Sequence, residues 1–114
     1  DEVLKMVAHI LTDNIRSFDA AGRWGGEEFF VILAGMSDEK KLYSVAEKLR
    51  ILVEKSAVKK GDVEIHATVS IGATLAKNND TPEGLINRAD RLMYQSKKLG
   101  RNRVSIDLDE EQPA

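Results

Sequence analysis

Cysteine is absent, so neither a disulfide framework nor a thiolate metal site is open to this chain. A reducing compartment is permitted, and cytoplasm is the expected location. Long apolar runs are also missing: nothing approaches the roughly 20 residues that span a bilayer. The chain opens on Asp1 and Glu2, not on a basic and then apolar targeting pattern. The segment is expected to be soluble and to make no membrane contact. Excess positive charge is lacking too, and a formal net charge of −2 excludes broad attraction to a nucleic-acid backbone. No nucleic-acid partner is expected, although local basic clusters remain able to hold a small anion. What is present is ample apolar material: 42% hydrophobic and 32% charged residues over 114 positions suit one globular unit with one core.

The apolar periodicity divides the chain into elements. Val3, Leu4, Val7, Ile10, Leu11, Ile15 and Phe18 recur at three- and four-residue steps, predicting a helix over residues 1–17 with one packed stripe. No N-cap precedes it, so the start looks cut. Residues 20–23 and the apolar run 28–33 flank Gly25 and Gly26 as a candidate hairpin. Ser37, Asp38 and Glu39 open a second helix, expected to reach residue 56 with Leu42, Val45, Ala46, Leu49, Leu52 and Val53 in register. Residues 63–66 alternate and residues 68–74 are β-branched, fitting two short strands or one bent strand. Thr81 followed by Pro82 opens a third helix, because Thr caps free amides and Pro at the first position loses no helical bond. Gly100 is its expected stop, residues 103–106 a final strand, and residues 107–114 an acidic tail. Helices covering a mixed sheet in an α/β sandwich are the expected architecture.

The stretch richest in chemistry is Arg23-Trp24-Gly25-Gly26-Glu27-Glu28-Phe29-Phe30. Two glycines permit a tight turn and let a ligand approach the backbone with no Cβ in the way. Two adjacent carboxylates come next, hard oxygen ligands of the kind that suit Mg²⁺. The plain alternative is a Gly-Gly hairpin with two solvated acids. Lys97 and Arg101, four apart in the expected last helix, would share a face and could point at one phosphate group; alone they read as a solvated basic face. Arg16 and Asp19 alone read as a surface pair at a helix end. His9 and His66 have no partner at metal-ligand spacing, and Trp24 reads as packing beside the turn.

Taken together these segments resemble the GGDEF family, in the variant whose signature is Gly-Gly-Glu-Glu-Phe. Ala67-Thr68-Val69-Ser70-Ile71-Gly72 is similar to the family's core strand, and residues 88–103 to its closing helix. The resemblance covers residues 1–106, the expected domain, with 107–114 as tail. It implies a palm-like, nucleotidyl-cyclase-type sandwich whose central, mixed, mostly antiparallel sheet is flanked by helices. The family's opening strand, with its metal-binding Asp and guanine-reading Asn, is missing here, so the chain as it stands is expected to be inactive.

The implied activity is diguanylate cyclase: two GTP condense to cyclic di-GMP with release of pyrophosphate, using Mg²⁺ or Mn²⁺. By position, Gly25 and Gly26 would form the turn under the nucleotide, and Glu27 and Glu28 would ligate the metal and serve catalysis. Lys97 and Arg101 would hold the GTP phosphates, and Asp1 would meet the guanine edge. Arg16 and Asp19 match the family's Arg-x-x-Asp inhibitory site, where a guanidinium pairs with phosphate or a guanine Hoogsteen edge and the carboxylate accepts from guanine. Lys48 stands where relatives can carry a second arginine, and lysine lacks the bidentate fork. Asp90 is expected to make a structural contact. Implied partners are GTP, cyclic di-GMP, a second GGDEF domain in a catalytic homodimer, and an upstream sensory or receiver domain. The alternatives are a silent GGDEF module that only binds cyclic di-GMP, and a purely structural dimerisation domain.

Overall fold

The computed structural model describes residues 2–16, 19–25, 28–33 and 35–107. In chain order the elements are α1 (Glu2–Asp13), β1 (Ala20–Gly25), β2 (Glu28–Ile32), α2 (Glu39–Glu54), β3 (Ala57–Lys60), β4 (Val63–His66), β5 (Ile71–Ala73), α3 (Pro82–Lys98) and β6 (Val104–Ile106). β1 and β2 form an antiparallel hairpin, β3 and β4 a second one, and β5 and β6 a parallel pair joined through α3. The sheet content is therefore mixed and mostly antiparallel, as expected, but the described residues carry it as three two-stranded ladders.

α1 is shorter than its apolar stripe predicts. Asn14 ends it by donating its side-chain amide to the Ile10 carbonyl at 2.8 Å, the local competition with backbone bonding that makes Asn a poor helix interior residue. Val7 and Leu11 are buried, and Val3, Leu4 and Ile10 are half-buried. Phe18, the last member of the stripe, lies outside the described residues.

Asp38 caps α2, its carboxylate accepting from the Lys40 amide at 2.8 Å and the Lys41 amide at 3.4 Å. This helix serves two clusters. Leu49 and Val53 pack with Val7 and Leu11 of α1 and with Ala21, Phe29 and Val31 of the first hairpin. Leu42 and Ala46 pack with Ala73, Ile71, Val104 and Ile106 of the parallel pair. Burial of these side chains supplies the main attractive term, about 25 cal/mol for each Å² of apolar surface removed from water.

The parallel pair is covered on both faces, as its alternation shows. Ile71, Ala73, Val104 and Ile106 face α2, whereas Gly72 and Ser105 face α3. At Gly72 the backbones approach so closely that a Cβ would sit 2.2 Å from both the Ala89 carbonyl oxygen and the Met93 amide nitrogen. Beside it, the fully buried Ser96 hydroxyl donates to the Ile71 carbonyl at 2.9 Å and lies 2.7 Å from the Ser105 hydroxyl. A hydroxyl has one hydrogen, so Ser105 supplies the second bond.

α3 begins and ends as its sequence predicts. Thr81 caps it, accepting from the Gly84 amide at 3.0 Å, and Pro82 takes the first position. At the far end Gly100 has φ +125°, and the Arg101 amide reaches back to the Ser96 carbonyl at 2.9 Å. β3 is not apparent from periodicity. It pairs with β4 across Gly61 and Asp62, and positive φ at Gly61 alone is the pattern of a type II′ turn.

Candidate active site

The glycine-rich signature sits at the closed end of the first hairpin. Ala20 pairs with Ile32 and Gly22 with Phe30; the register shifts between Arg23 and Gly25, and Gly25 then pairs with Glu28. An added residue on one strand increases local twist and re-aims the residues beyond it. Gly26 and Glu27, the two residues between that pair, lie outside the described residues, as does Asp1. Glu28 and Gly25 are described through their backbone pairing.

Arg16 and Asp19 are brought together. The Arg16 backbone amide donates to Asp19 Oδ2 at 2.9 Å, its Nε to the same oxygen at 3.1 Å and its Nη2 to Oδ1 at 3.4 Å, while the Asp19 amide donates to the Arg16 carbonyl at 2.9 Å. The Asp19 side chain is only 1% exposed, against 52% for Arg16. This turn therefore presents the guanidinium and covers the carboxylate.

Lys97 and Arg101 are not on one helical face. α3 ends at Lys98, and Arg101 comes after the Gly100 stop with φ +65°, so the four-residue helical spacing expected from the sequence does not apply. Lys97 is half-buried in the last turn, where a cation is favoured by the helix dipole; Arg101 is exposed on the turn beyond. Lys98 is occupied elsewhere, with its ammonium 5.6 Å from the Tyr94 ring centre. Lys48 is exposed on α2, and so is Asp90 on α3. His9 and His66 are exposed, with His66 Nε2 3.4 Å from Glu64.

Two charged networks reach beyond what sequence inspection shows. In the first, Arg50 of α2 grips Glu47 with two bonds of 2.9 and 2.6 Å, and its Nη1 meets Asn102 Oδ1 at 2.8 Å and Glu54 at 3.4 Å. Asn102 returns its amide hydrogens to Glu54 at 2.8 Å. The Arg50 bond holds the Glu47 carboxyl below its usual range, and the Glu47 bond raises Arg50. Glu47-x-x-Arg50-x-x-x-Glu54 has helical pair spacing that the sequence displays; the link to Asn102, some 50 residues away, has no local signal.

In the second network, Arg88 of α3 holds Asp80 through two bonds of 2.8 and 2.7 Å, donates to Thr74 at 2.8 Å and to the Leu75 carbonyl at 2.9 Å, and stands 3.4 Å from Asp107. Bonds from Arg88 and from the Lys77 amide hold the Asp80 carboxyl far below the ordinary range. This network staples the loop after β5, the start of α3 and the end of β6.

No three acidic or histidine side chains gather at metal-binding distances among the described residues. No helix there is long and apolar enough to cross a membrane.

Residues 1–103 match the family model described as "Diguanylate cyclase, GGDEF domain". The chain belongs to the GGDEF family. This GGDEF domain is 39% identical over 107 residues to diguanylate cyclase DosC of Escherichia coli, covering 93% of this chain but 23% of that protein, so it spans about a quarter of the curated relative. Its fold is similar to that of diguanylate cyclase SiaD of Pseudomonas aeruginosa, solved with its activator SiaC, with a TM-score of 0.86 and 31% identity over 93% of this chain and 40% of the other. It is also similar to the GGDEF domain of DgcB from Caulobacter crescentus, solved in complex with c-di-GMP, with a TM-score of 0.83 and 29% identity over 92% of this chain and 61% of the other. The palm-like architecture expected from the sequence is thereby shown.

Proposed function

We propose that this GGDEF domain is the catalytic module of a diguanylate cyclase that joins two GTP into cyclic di-GMP and releases two pyrophosphates. The observation that carries the reading is the unbroken Gly-Gly-Glu-Glu-Phe signature at the closed end of the β1–β2 hairpin, where Gly25 pairs with Glu28. A module that only bound cyclic di-GMP would have no use for both carboxylates.

In each half-reaction the 3′-hydroxyl oxygen of one GTP attacks the α-phosphorus of the other, the bond to pyrophosphate breaks, and the hydroxyl proton leaves to a base. Glu27 is the residue we assign to accept that proton, and Gly25 and Gly26 give the nucleotide close approach to the backbone. Arg101 and Lys97 neutralise charge on the phosphates, the term that dominates such transfers. The donor set of Glu27 and Glu28, hard carboxylate oxygens on adjacent residues, fits Mg²⁺ or Mn²⁺, which supplies charge neutralisation and a lowered hydroxyl pKa when bound. A second domain of the same kind presents the second GTP.

Product feedback is assigned to Arg16 and Asp19. The 1% exposure of Asp19 supports a division in which Arg16 meets the ligand and Asp19 orients Arg16. The test of the main reading is Glu28→Ala in the intact protein. It is expected to abolish cyclic di-GMP synthesis from GTP and Mg²⁺ with the unfolding transition little changed, since an acid at the first position of a hairpin strand contributes little to stability. Turnover near that of the unsubstituted protein would overturn the reading.

A further inference from the structure

Three consecutive residues beyond α3 have positive φ: Gly100 at +125°, Arg101 at +65° and Asn102 at +48°. Glycine enters that region freely, Asn tolerates it, and Arg does not favour it. Strained backbone persists where its surroundings over-determine it. Here the surroundings act on both sides of Arg101. Its own amide is tied to the Ser96 carbonyl at 2.9 Å, and the next residue is clamped to α2 through both ends of its side-chain amide. Oδ1 of Asn102 faces the Arg50 guanidinium and Nδ2 faces the Glu54 carboxylate, so only one orientation of the amide satisfies both partners. Arg50 is itself fixed by the fork onto Glu47 and is 14% exposed. The product of this bracing is an exposed arginine that has no ion-pair partner among the described residues. A turn needed only to end a helix has no need of a second clamp to another helix.

We propose that Asn102, held by Arg50 and Glu54, is a positioning residue that presents the Arg101 guanidinium to the substrate phosphates, an inference that rests on the proposed cyclase reading of Arg101. The clamp fixes the Arg101 backbone before ligand arrives, so less freedom is lost on binding. α2 thereby takes part in substrate binding without touching substrate.

The test measures the affinity of the intact protein for 3′-deoxy-GTP with Mg²⁺ by calorimetry; this probe lacks the attacking hydroxyl and does not turn over. Arg101→Ala is expected to weaken binding about tenfold, the loss of one charge-assisted contact. Asn102→Gly keeps the left-handed backbone accessible and removes the clamp, with an expected loss of about fivefold. In the Arg101→Ala background the same change is expected to cost less than about twofold, because its effect runs through Arg101. Glu54→Ala, at an exposed helix position that tolerates alanine, is expected to give a smaller loss, likewise confined to proteins that keep Arg101. It decides by the same criterion if Asn102→Gly fails to fold.

Equal losses in both backgrounds would show that the clamp serves the fold at large and would overturn the proposal. So would unchanged affinity in Asn102→Gly beside a weakened Arg101→Ala, an outcome that leaves the cyclase reading standing. Unchanged affinity in Arg101→Ala would remove Arg101 from the phosphate site, and the proposal with it.

Discussion

At the scale of single residues, charge pairing in this domain is mostly local and its partners decide what each group can do. Arg16 is the clearest case. Its guanidinium is held by Asp19, so a cyclic dinucleotide binding there, as proposed, would meet a cation already in place. Arg16→Ala is expected to weaken cyclic di-GMP binding by at least the tenfold that about 1.4 kcal/mol represents. Titration calorimetry on the two proteins decides it, and equal affinities would count against an inhibitory site here. Asp80 illustrates a different use. Because its folded-state pKa is depressed by Arg88, the stability it contributes is complete above the unfolded carboxyl value of about 3.9 and is lost as pH falls through the folded value. Thermal unfolding of Asp80→Asn should therefore show its largest deficit near neutral pH, and the gap from the unsubstituted protein should narrow below about pH 4. A gap of constant size down to about pH 2 would mean that the Arg88 pairing does not survive in solution.

At the scale of elements, what the sequence makes legible depends on whether a local rule decides the outcome. Thr81 and Pro82 at the start of α3, Gly100 after its end and Asp38 before α2 all act where capping rules place them. α1 stops short of its apolar stripe because Asn14 takes a backbone carbonyl, a competition that periodicity cannot register. β3 escapes because Ala57-Val58-Lys59-Lys60 is mostly exposed and carries little alternation, although the Gly61-Asp62 turn signal beside it is readable. The expected shared face of Lys97 and Arg101 fails because the residue that ends α3, Gly100, lies between them. The glycine at position 72 carries the opposite lesson: the sequence shows a strand glycine but not its reason, which is the backbone of α3 2.2 Å from where a Cβ would stand. Gly72→Ala must push strand and helix apart and is expected to cost about 3 kcal/mol in urea denaturation, near the upper end for overpacking. A loss below about 1 kcal/mol would show that α3 moves aside easily.

At the scale of the whole molecule, the fold bears on how the proposed reaction would be organised. α2 and α3 enclose the β5–β6 pair, while the described ends of the signature, Gly25 and Glu28, pair at the last rung of the β1–β2 hairpin. The proposed chemistry needs two GTP with each 3′-hydroxyl in line with the other's α-phosphorus. A single domain has one signature, so the second nucleotide is expected from a second copy related by two-fold symmetry. Subunit mixing tests this at the level of the assembly. If the intact protein and its Glu28→Ala variant are co-expressed in equal amounts and pair at random, half of the active subunits find an inactive partner. Activity per unsubstituted subunit should then fall to about half. Preserved activity per unsubstituted subunit would show that each domain completes the reaction alone. A fall well below half would instead require units larger than the dimer, because each active subunit would then depend on more than one neighbour.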